Sequence, residues 1–168
     1  VLEPDKCLAL HDLAVEFTER NEEGSSIFVR PPHNTHPLTP LEHAMHRILL
    51  EMDKENDNTS VTVVEYWWRD EFMNIDIHSD IDESLLEDQS ILCCPDLGHV
   101  LYLQVMEDLK GPTCVVSKYG GWNESRNITT ELVTVPAVLG RLLRFPGSAM
   151  HGVPKPIDRW LLTDEDER

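Results

Sequence analysis

The spacing of apolar residues predicts two helices in the first part of the chain. Over residues 8–19, apolar side chains recur at intervals that place them on one helical face. A second segment begins more distinctly, because Thr39 can serve as an N-cap, Pro40 follows at the first helical position, and Glu42 comes three residues after the cap. Apolar residues then repeat at helical spacing until a polar stretch ends the pattern. The sequence therefore predicts a helix over residues 39–54.

After residue 60 the pattern changes to short runs of β-branched and aromatic residues separated by turn signals. Such runs are typical of strands in an all-β sandwich or barrel. The predicted fold class is mainly β: a double-stranded β-helix, or jelly roll, with an N-terminal supporting helix or helices. We divide the chain into an N-terminal extension, 1–38, and a single jelly-roll domain, 39–168. The predicted strands cover residues 60–68, 72–78, 99–105, 113–118, 131–135, 141–145 and 157–162.

Length and charge limit the classes of function. A chain of 168 residues has room for one ordinary domain. Its 14 Lys and Arg against 31 Asp and Glu give a formal net charge of -17, which disfavours nucleic acid and anionic lipid as partners. No apolar run has the length of a membrane span. Acids concentrate over residues 70–108, where no Lys or Arg occurs, which fits either a solvated acidic face or a grouping of acids around a cation.

Cysteine spacing and glycosylation sequons bear on the compartment. The 4 cysteines have neither the spacing of a zinc site nor the density of a small disulfide-rich domain. Three sequons begin at Asn58, Asn123 and Asn127, and they would accept glycans in the secretory pathway. The sequons favour that pathway, with the cytoplasm as the alternative.

The candidate chemistry begins at the end of one predicted strand. His78 and Asp80 are two residues apart there, so both side chains leave the same face. An imidazole and a carboxylate on one face, completed by a distant second histidine, form a facial triad that leaves three positions of a non-haem Fe(II) open. His151 follows another predicted strand and a Pro-Gly turn, and is the candidate for the second imidazole. Arg159, a little further along, supplies a cation that recognises a carboxylate.

With these residues the sequence resembles the Fe(II)- and 2-oxoglutarate-dependent dioxygenase superfamily, and within it the prolyl 4-hydroxylase-like branch. The resemblance covers roughly residues 60–162, and the segment 39–54 is similar to the supporting helix of that family. It rests on the His-x-Asp pair, the distal histidine and the basic residue that follows it. Three further family motifs are matched by Tyr102-Leu103-Gln104, by Gly111-Pro112-Thr113 and by residues 136–141.

The resemblance implies a set of roles. His78, Asp80 and His151 would ligate the iron at the catalytic centre. Arg159 would bind the outer carboxylate of 2-oxoglutarate, with the Tyr102 hydroxyl as a second partner of that carboxylate. The implied enzyme is a hydroxylase that uses Fe(II), O2 and 2-oxoglutarate, with ascorbate as an optional reductant, and releases succinate and CO2. Its expected substrate is a peptide or a small molecule, and no oligomeric state is indicated.

Each of these residues also has an ordinary structural alternative. His78 fits a hydrogen-bonded strand position, and Asp80 fits a turn. Arg159 fits a surface ion pair with neighbouring acids, and Tyr102 fits a packing position on a strand. For the whole chain, two other functions stay open: a non-catalytic secreted jelly-roll module that binds a ligand, and a cupin-type metal protein that does not use 2-oxoglutarate.

Overall fold

The computed structural model describes residues 2–20, 25–54, 63–69, 75–105, 111–118 and 131–154. Contacts divide the chain into two compact units. The N-terminal unit is Pro4–Glu71, and the C-terminal unit is Phe72–Arg168 together with Val1–Glu3. The described ranges contain three helices and eight strands, and all the strand pairings in them are antiparallel. Within these ranges, none of the helices combines the length and the apolar character that crossing a membrane requires. The division of the chain at residue 39 stays a prediction.

The N-terminal unit contains the two helices that the sequence predicts. Helix α1 spans Pro4–Arg20 and helix α2 spans Pro40–Lys54. The start of α2 is a capping box: the Thr39 N–H donates to Glu42 Oε2 at 2.6 Å, and the Glu42 N–H donates to Thr39 Oγ1 at 3.3 Å. The N–H groups at the start of a helix have no carbonyl partner within it, and these two bonds give the Thr39 and Glu42 N–H groups side-chain acceptors. The predicted helix over residues 39–54 is confirmed.

A two-stranded antiparallel sheet completes the N-terminal unit. Strand β1 spans Ser25–Val29 and pairs with β2, Val63–Trp67, which lies within the predicted strand 60–68. The sequence pattern does not predict a strand at β1, because that run is short and begins with two serines. Tyr66 packs its ring against Phe17 and Phe28, with ring centroids 5.0 and 6.0 Å apart. The sheet is thereby joined to the apolar face of α1.

The C-terminal unit is built from nested strand pairs. Strand β5 pairs with β6, β4 pairs with β7, and β3 pairs with β8, so each pair encloses the one before it along the chain. Strand β8 also pairs with β5, which gives a four-stranded sheet in the order β3-β8-β5-β6, while β4 and β7 form a separate two-stranded sheet. The elements are β3 Ile75–His78, α3 Glu83–Gln89, β4 Leu97–Leu101, β5 Thr113–Lys118, β6 Glu131–Val135, β7 Leu142–Pro146 and β8 His151–Val153.

The observed strands confirm much of the predicted pattern. Strands β5 and β6 have the predicted bounds, and β4 and β7 overlap the predicted strands with shifted ends. Strand β3 ends at the predicted residue, and the predicted residues 72–74 lie outside the described ranges. Strand β8 and helix α3 are not predicted from the sequence, because their 3 and 7 residues are too few to show a hydrophobic period. Helix α3 begins at a side-chain cap, since Asp82 Oδ1 accepts from the Leu85 N–H at 2.9 Å. The predicted strand 157–162 lies outside the described residues.

Candidate metal centre

A neighbouring pair of side chains, His78 and Asp80, and a third from a distant part of the sequence, His151, converge in the C-terminal unit. Ligand atoms of His78, Asp80 and His151 all lie within 4.8 Å of one another, the only such group of three found among the described residues. His78 Nε2 lies 3.5 Å from Asp80 Oδ1, and His151 Nε2 lies 3.7 Å from Asp80 Oδ2. Two ligands of one ion, each about 2.1 Å from it and about 90° apart, are about 3 Å from each other. The two nitrogen–oxygen separations are close to that value, so the group could hold one metal ion.

Strand register brings the two histidines together. His78 on β3 is directly opposite His151 on β8, and opposite residues of an antiparallel pair share a face. Further along the same pair, Ile75 is opposite Val153, so three steps along β3 match two steps along β8. This irregularity is a β-bulge in β3. Without the extra residue, the register would slip by one and turn the His78 side chain to the other face of the sheet.

Backbone carbonyls select the nitrogen that each histidine offers. His78 Nδ1 lies 2.8 Å from the carbonyl oxygen of Asp76, and His151 Nδ1 lies 3.1 Å from that of Ala149. A carbonyl only accepts hydrogen bonds, so each Nδ1 carries the hydrogen and donates it. In the neutral imidazole the lone pair is then on Nε2, the atom that faces the carboxylate of Asp80. Such a bond to the second ring nitrogen is what orients most metal-ligating histidines.

The two histidines differ strongly in their surroundings. The side chain of His78 is 42% exposed, whereas that of His151 is 10% exposed. The His151 ring packs between two others, with centroids 4.6 Å from His78 and 4.8 Å from Phe145. The centre is therefore closed on the side of His151 and open to solvent on the side of His78.

The segment 93–96 is hydrogen-bonded to both loops that carry candidate ligands. The Asp82 N–H, two residues beyond the carboxylate ligand, donates to the carbonyl oxygen of Cys93 at 2.9 Å. The Gly147 N–H, in the turn that leads to β8, donates to the carbonyl oxygen of Asp96 at 3.1 Å. Hydrogen bonds from Ser84 and from the Leu85 N–H lower the pKa of the Asp82 carboxyl, which keeps this helix cap ionised. The loop of Asp80 and the turn before His151 are thus fixed to the same stretch of chain.

Tyr102 and Arg159 are the two remaining candidates from the sequence. The hydroxyls of Tyr102 and Thr113 share a hydrogen bond of 2.5 Å, and Thr113 is buried. Thr113 and Val115 are two residues apart on β5, so their side chains lie on the same face of the sheet. Val115 is opposite His151, and the tyrosine hydroxyl therefore reaches the face that carries His151. Arg159 lies outside the described residues, and its role stays a prediction.

Several parts of the site escape sequence reasoning. The carbonyl groups of Asp76 and Ala149 have no signature in the sequence, because every residue carries one. Phe145 is visible only as an apolar residue before the Pro-Gly turn. Its ring contact with His151 depends on the pairing of β8 with strands far away in the chain.

Comparisons with known proteins leave the site to be interpreted from its own residues. No family model, no curated protein and no solved structure matches the chain. The evidence for function is therefore the geometry of the three ligands together with the motifs in the sequence.

Proposed function

We propose that the chain is an Fe(II)- and 2-oxoglutarate-dependent dioxygenase that hydroxylates a peptide or small-molecule substrate and releases succinate and CO2. The observation that carries the proposal is the convergence of His78, Asp80 and His151, with both Nε2 atoms directed at the carboxylate. Two imidazoles and one carboxylate on one side of a metal are the ligand set of non-haem Fe(II) oxygenases, and they leave three positions open. These donors suit Fe(II) because the nitrogens are already in the tautomer that a metal needs.

The strand pairing supports a jelly-roll fold for the C-terminal unit. A jelly roll arises when a long antiparallel hairpin is rolled up, which produces nested pairs distributed over two sheets. The pairs β5–β6, β4–β7 and β3–β8 are nested in this way and belong to two sheets. An eight-stranded roll needs one further pair outside β3–β8, and the predicted strand 157–162 has the right position in the sequence for one member.

The charges of the centre favour an anionic cosubstrate. Two neutral imidazoles and one carboxylate leave a net positive charge on a divalent ion, which attracts the keto acid end of 2-oxoglutarate. Arg159 would bind the outer carboxylate through its guanidinium. The Tyr102 hydroxyl, on the sheet face that carries His151, is the second candidate donor to that carboxylate. When bound, Fe(II) supplies the activation of O2 that couples decarboxylation of 2-oxoglutarate to hydroxylation of the substrate.

The protein residues around the centre divide the remaining tasks. His151 is held in place by the Ala149 carbonyl and by neighbouring rings, so it fixes the geometry on the closed side. The buried ring of Phe145 excludes water from that side. His78 borders the open side, and we therefore expect the substrate to approach across β3, where the centre is exposed.

An anaerobic titration with Fe(II), with and without 2-oxoglutarate, tests the proposal. We expect a visible charge-transfer band only when both are present, and succinate release once O2 is admitted. His78→Ala and Asp80→Ala should lose the band and reduce succinate release at least a hundredfold, because each removes a ligand. His36→Ala, which removes an exposed histidine of the N-terminal unit, should retain both signals.

The other outcomes separate the alternatives. Metal binding without any effect of 2-oxoglutarate would contradict the proposal and favour a cupin-type metal protein. A protein that binds neither Fe(II) nor Co(II) would also contradict it and favour a non-catalytic binding module.

A further inference from the structure

We propose that Gly98 and Phe145 form a positioning pair that sets the orientation of His151 in the metal centre. This inference rests on the metal-binding function proposed above. Phe145 lies on β7 and is 6% exposed, and its ring centroid is 4.8 Å from that of His151 at an interplanar angle of 49°. Gly98 is its direct partner on β4. The pair thus connects the two-stranded sheet to a ligand on the four-stranded sheet.

Gly98 is needed because the phenylalanine ring lies across its strand. A Cβ at this position would be 2.4 Å from Phe145 Cε2 and 2.7 Å from Phe145 Cζ. Those separations are far below the ordinary contact distance of about 3.5 to 4.0 Å between carbon atoms. Any side chain at residue 98 therefore pushes the ring out of its place, and the ring is in direct contact with His151.

The contacts of His151 explain why the ring of Phe145 matters for a metal. The hydrogen bond from Nδ1 to the Ala149 carbonyl fixes one atom of the imidazole and leaves the tilt of its plane free. An aromatic ring packed against the imidazole fixes that tilt. The position of Nε2, at the far side of the ring from Nδ1, depends directly on the tilt. Phe145 thereby determines where His151 presents its lone pair to the ion.

The influence of Phe145 extends to the second histidine. The exposed His78 has its ring contact with His151, at a centroid distance of 4.6 Å and an angle of 48°. Phe145, His151 and His78 therefore form a continuous row of rings that starts on Gly98 and ends at solvent. A displacement at the buried end of this row moves both imidazole ligands.

A double-mutant cycle with Co(II) as the probe metal tests this role. The variants are Gly98→Ala, Phe145→Leu and the combination of the two, and their Co(II) affinity and visible absorption spectrum are measured. We expect each single variant to bind Co(II) about tenfold more weakly with an altered spectrum, which is the usual cost of losing a group that orients a ligand. The double variant should be no weaker than the weaker single variant, because alanine at residue 98 acts only by displacing the phenylalanine ring.

A matched substitution distinguishes positioning from general packing. Phe28→Leu makes the same change at a buried phenylalanine of the N-terminal unit, where it should lower stability and leave Co(II) affinity and spectrum unchanged. Circular dichroism checks that each variant is folded. If Phe145→Leu does not fold, the Co(II) affinity and spectrum of Gly98→Ala alone test the positioning role, because that variant keeps the phenylalanine.

Three results would overturn the inference. One is a folded Phe145→Leu or Gly98→Ala protein with the affinity and spectrum of the wild type. Another is an additive loss of affinity in the double variant. The third is a wild-type protein that does not bind Co(II), which would contradict the proposed metal site itself. If the wild type binds Co(II) and the variants bind it equally well, only the positioning role is contradicted.

Discussion

At the scale of single residues, burial makes the two histidine ligands unequal. His151 is packed against two rings and donates to the Ala149 carbonyl, whereas His78 is exposed on β3 and its ring contacts solvent. The two imidazoles can contribute equally to a bound ion and still contribute differently to the fold. The metal-free protein separates these contributions.

We expect His151→Ala to destabilise the metal-free protein by about 1 to 3 kcal/mol, because it opens a cavity beside Phe145. His78→Ala should change the free energy of unfolding by less than about 0.5 kcal/mol, as is usual for exposed positions. Urea denaturation in the presence of a chelator measures both. Equal destabilisation by the two substitutions would contradict the difference in packing.

The sequence identifies the three ligand residues more readily than their arrangement. The His-x-Asp spacing and the distal His151 after a Pro-Gly turn are visible in the amino-acid order alone. The choice of Nε2 over Nδ1 is not, because it depends on carbonyl groups that the folded backbone brings within reach. The candidate ligands can therefore be proposed from the sequence, whereas the orientation of their side chains depends on the fold.

At the scale of elements, the bulge in β3 and the short strand β8 determine the site. A bulge adds a residue without changing the hydrophobic pattern strongly, so alternation along residues 72–78 cannot reveal which face His78 takes relative to β8. The helix α2 could be predicted because its capping box is local in sequence. Strand β8 could not, since its 3 residues are defined by pairing with β3 and β5.

The close approach of β3 and β8 gives a prediction at this scale. A Cβ at Gly152 would lie 2.7 Å from the carbonyl oxygen of Ile75 and 3.1 Å from the Ile77 nitrogen, so Gly152→Ala forces the strands apart. We expect a loss of about 1 to 3 kcal/mol in the free energy of unfolding and at least tenfold weaker Co(II) binding.

Chemical denaturation and a Co(II) titration measure the two effects of Gly152→Ala. Ser148→Ala, in the turn before β8, serves as the control and should leave both values near those of the wild type. Normal Co(II) affinity in a folded Gly152→Ala protein would show that the β3–β8 contact does not set the ligand geometry.

At the scale of the whole molecule, the acidic segment of the sequence contains proposed cation ligands and the basic segment contains the proposed anion-binding residue. The segment 70–108, which lacks Lys and Arg, includes two of the three proposed metal ligands, and basic residues outnumber acids over residues 111–160, which include the proposed anchor Arg159. The sequence predicts the β-rich character of the second half, and the structure confirms antiparallel strands there. It does not predict that β2 pairs with β1 in the N-terminal unit, because pairing partners depend on contacts between distant segments.

The metal is expected to stabilise the folded chain as a whole. A ligand that binds only the folded state adds about 2.7 kcal/mol to the free energy of unfolding at a hundred times its dissociation constant. Co(II) should therefore raise the thermal unfolding temperature of the wild type and leave that of Asp80→Ala unchanged. Scanning calorimetry with and without Co(II) measures the shift, and an equal rise in both proteins would locate the metal elsewhere.

The nested pairing of the C-terminal unit has a consequence for how the chain folds. Strands β5 and β6 are close in sequence, whereas β3 and β8 enclose the other described strands of this unit and carry His78 and His151. Closing a longer loop costs more conformational entropy, so pairs form most readily from the innermost outward. The two imidazoles consequently meet only when β3–β8, the outermost of the described pairs, closes. A bound ion would cross-link the two ends of the loop between β3 and β8, and a nascent chain could acquire it only after β8 has been synthesised.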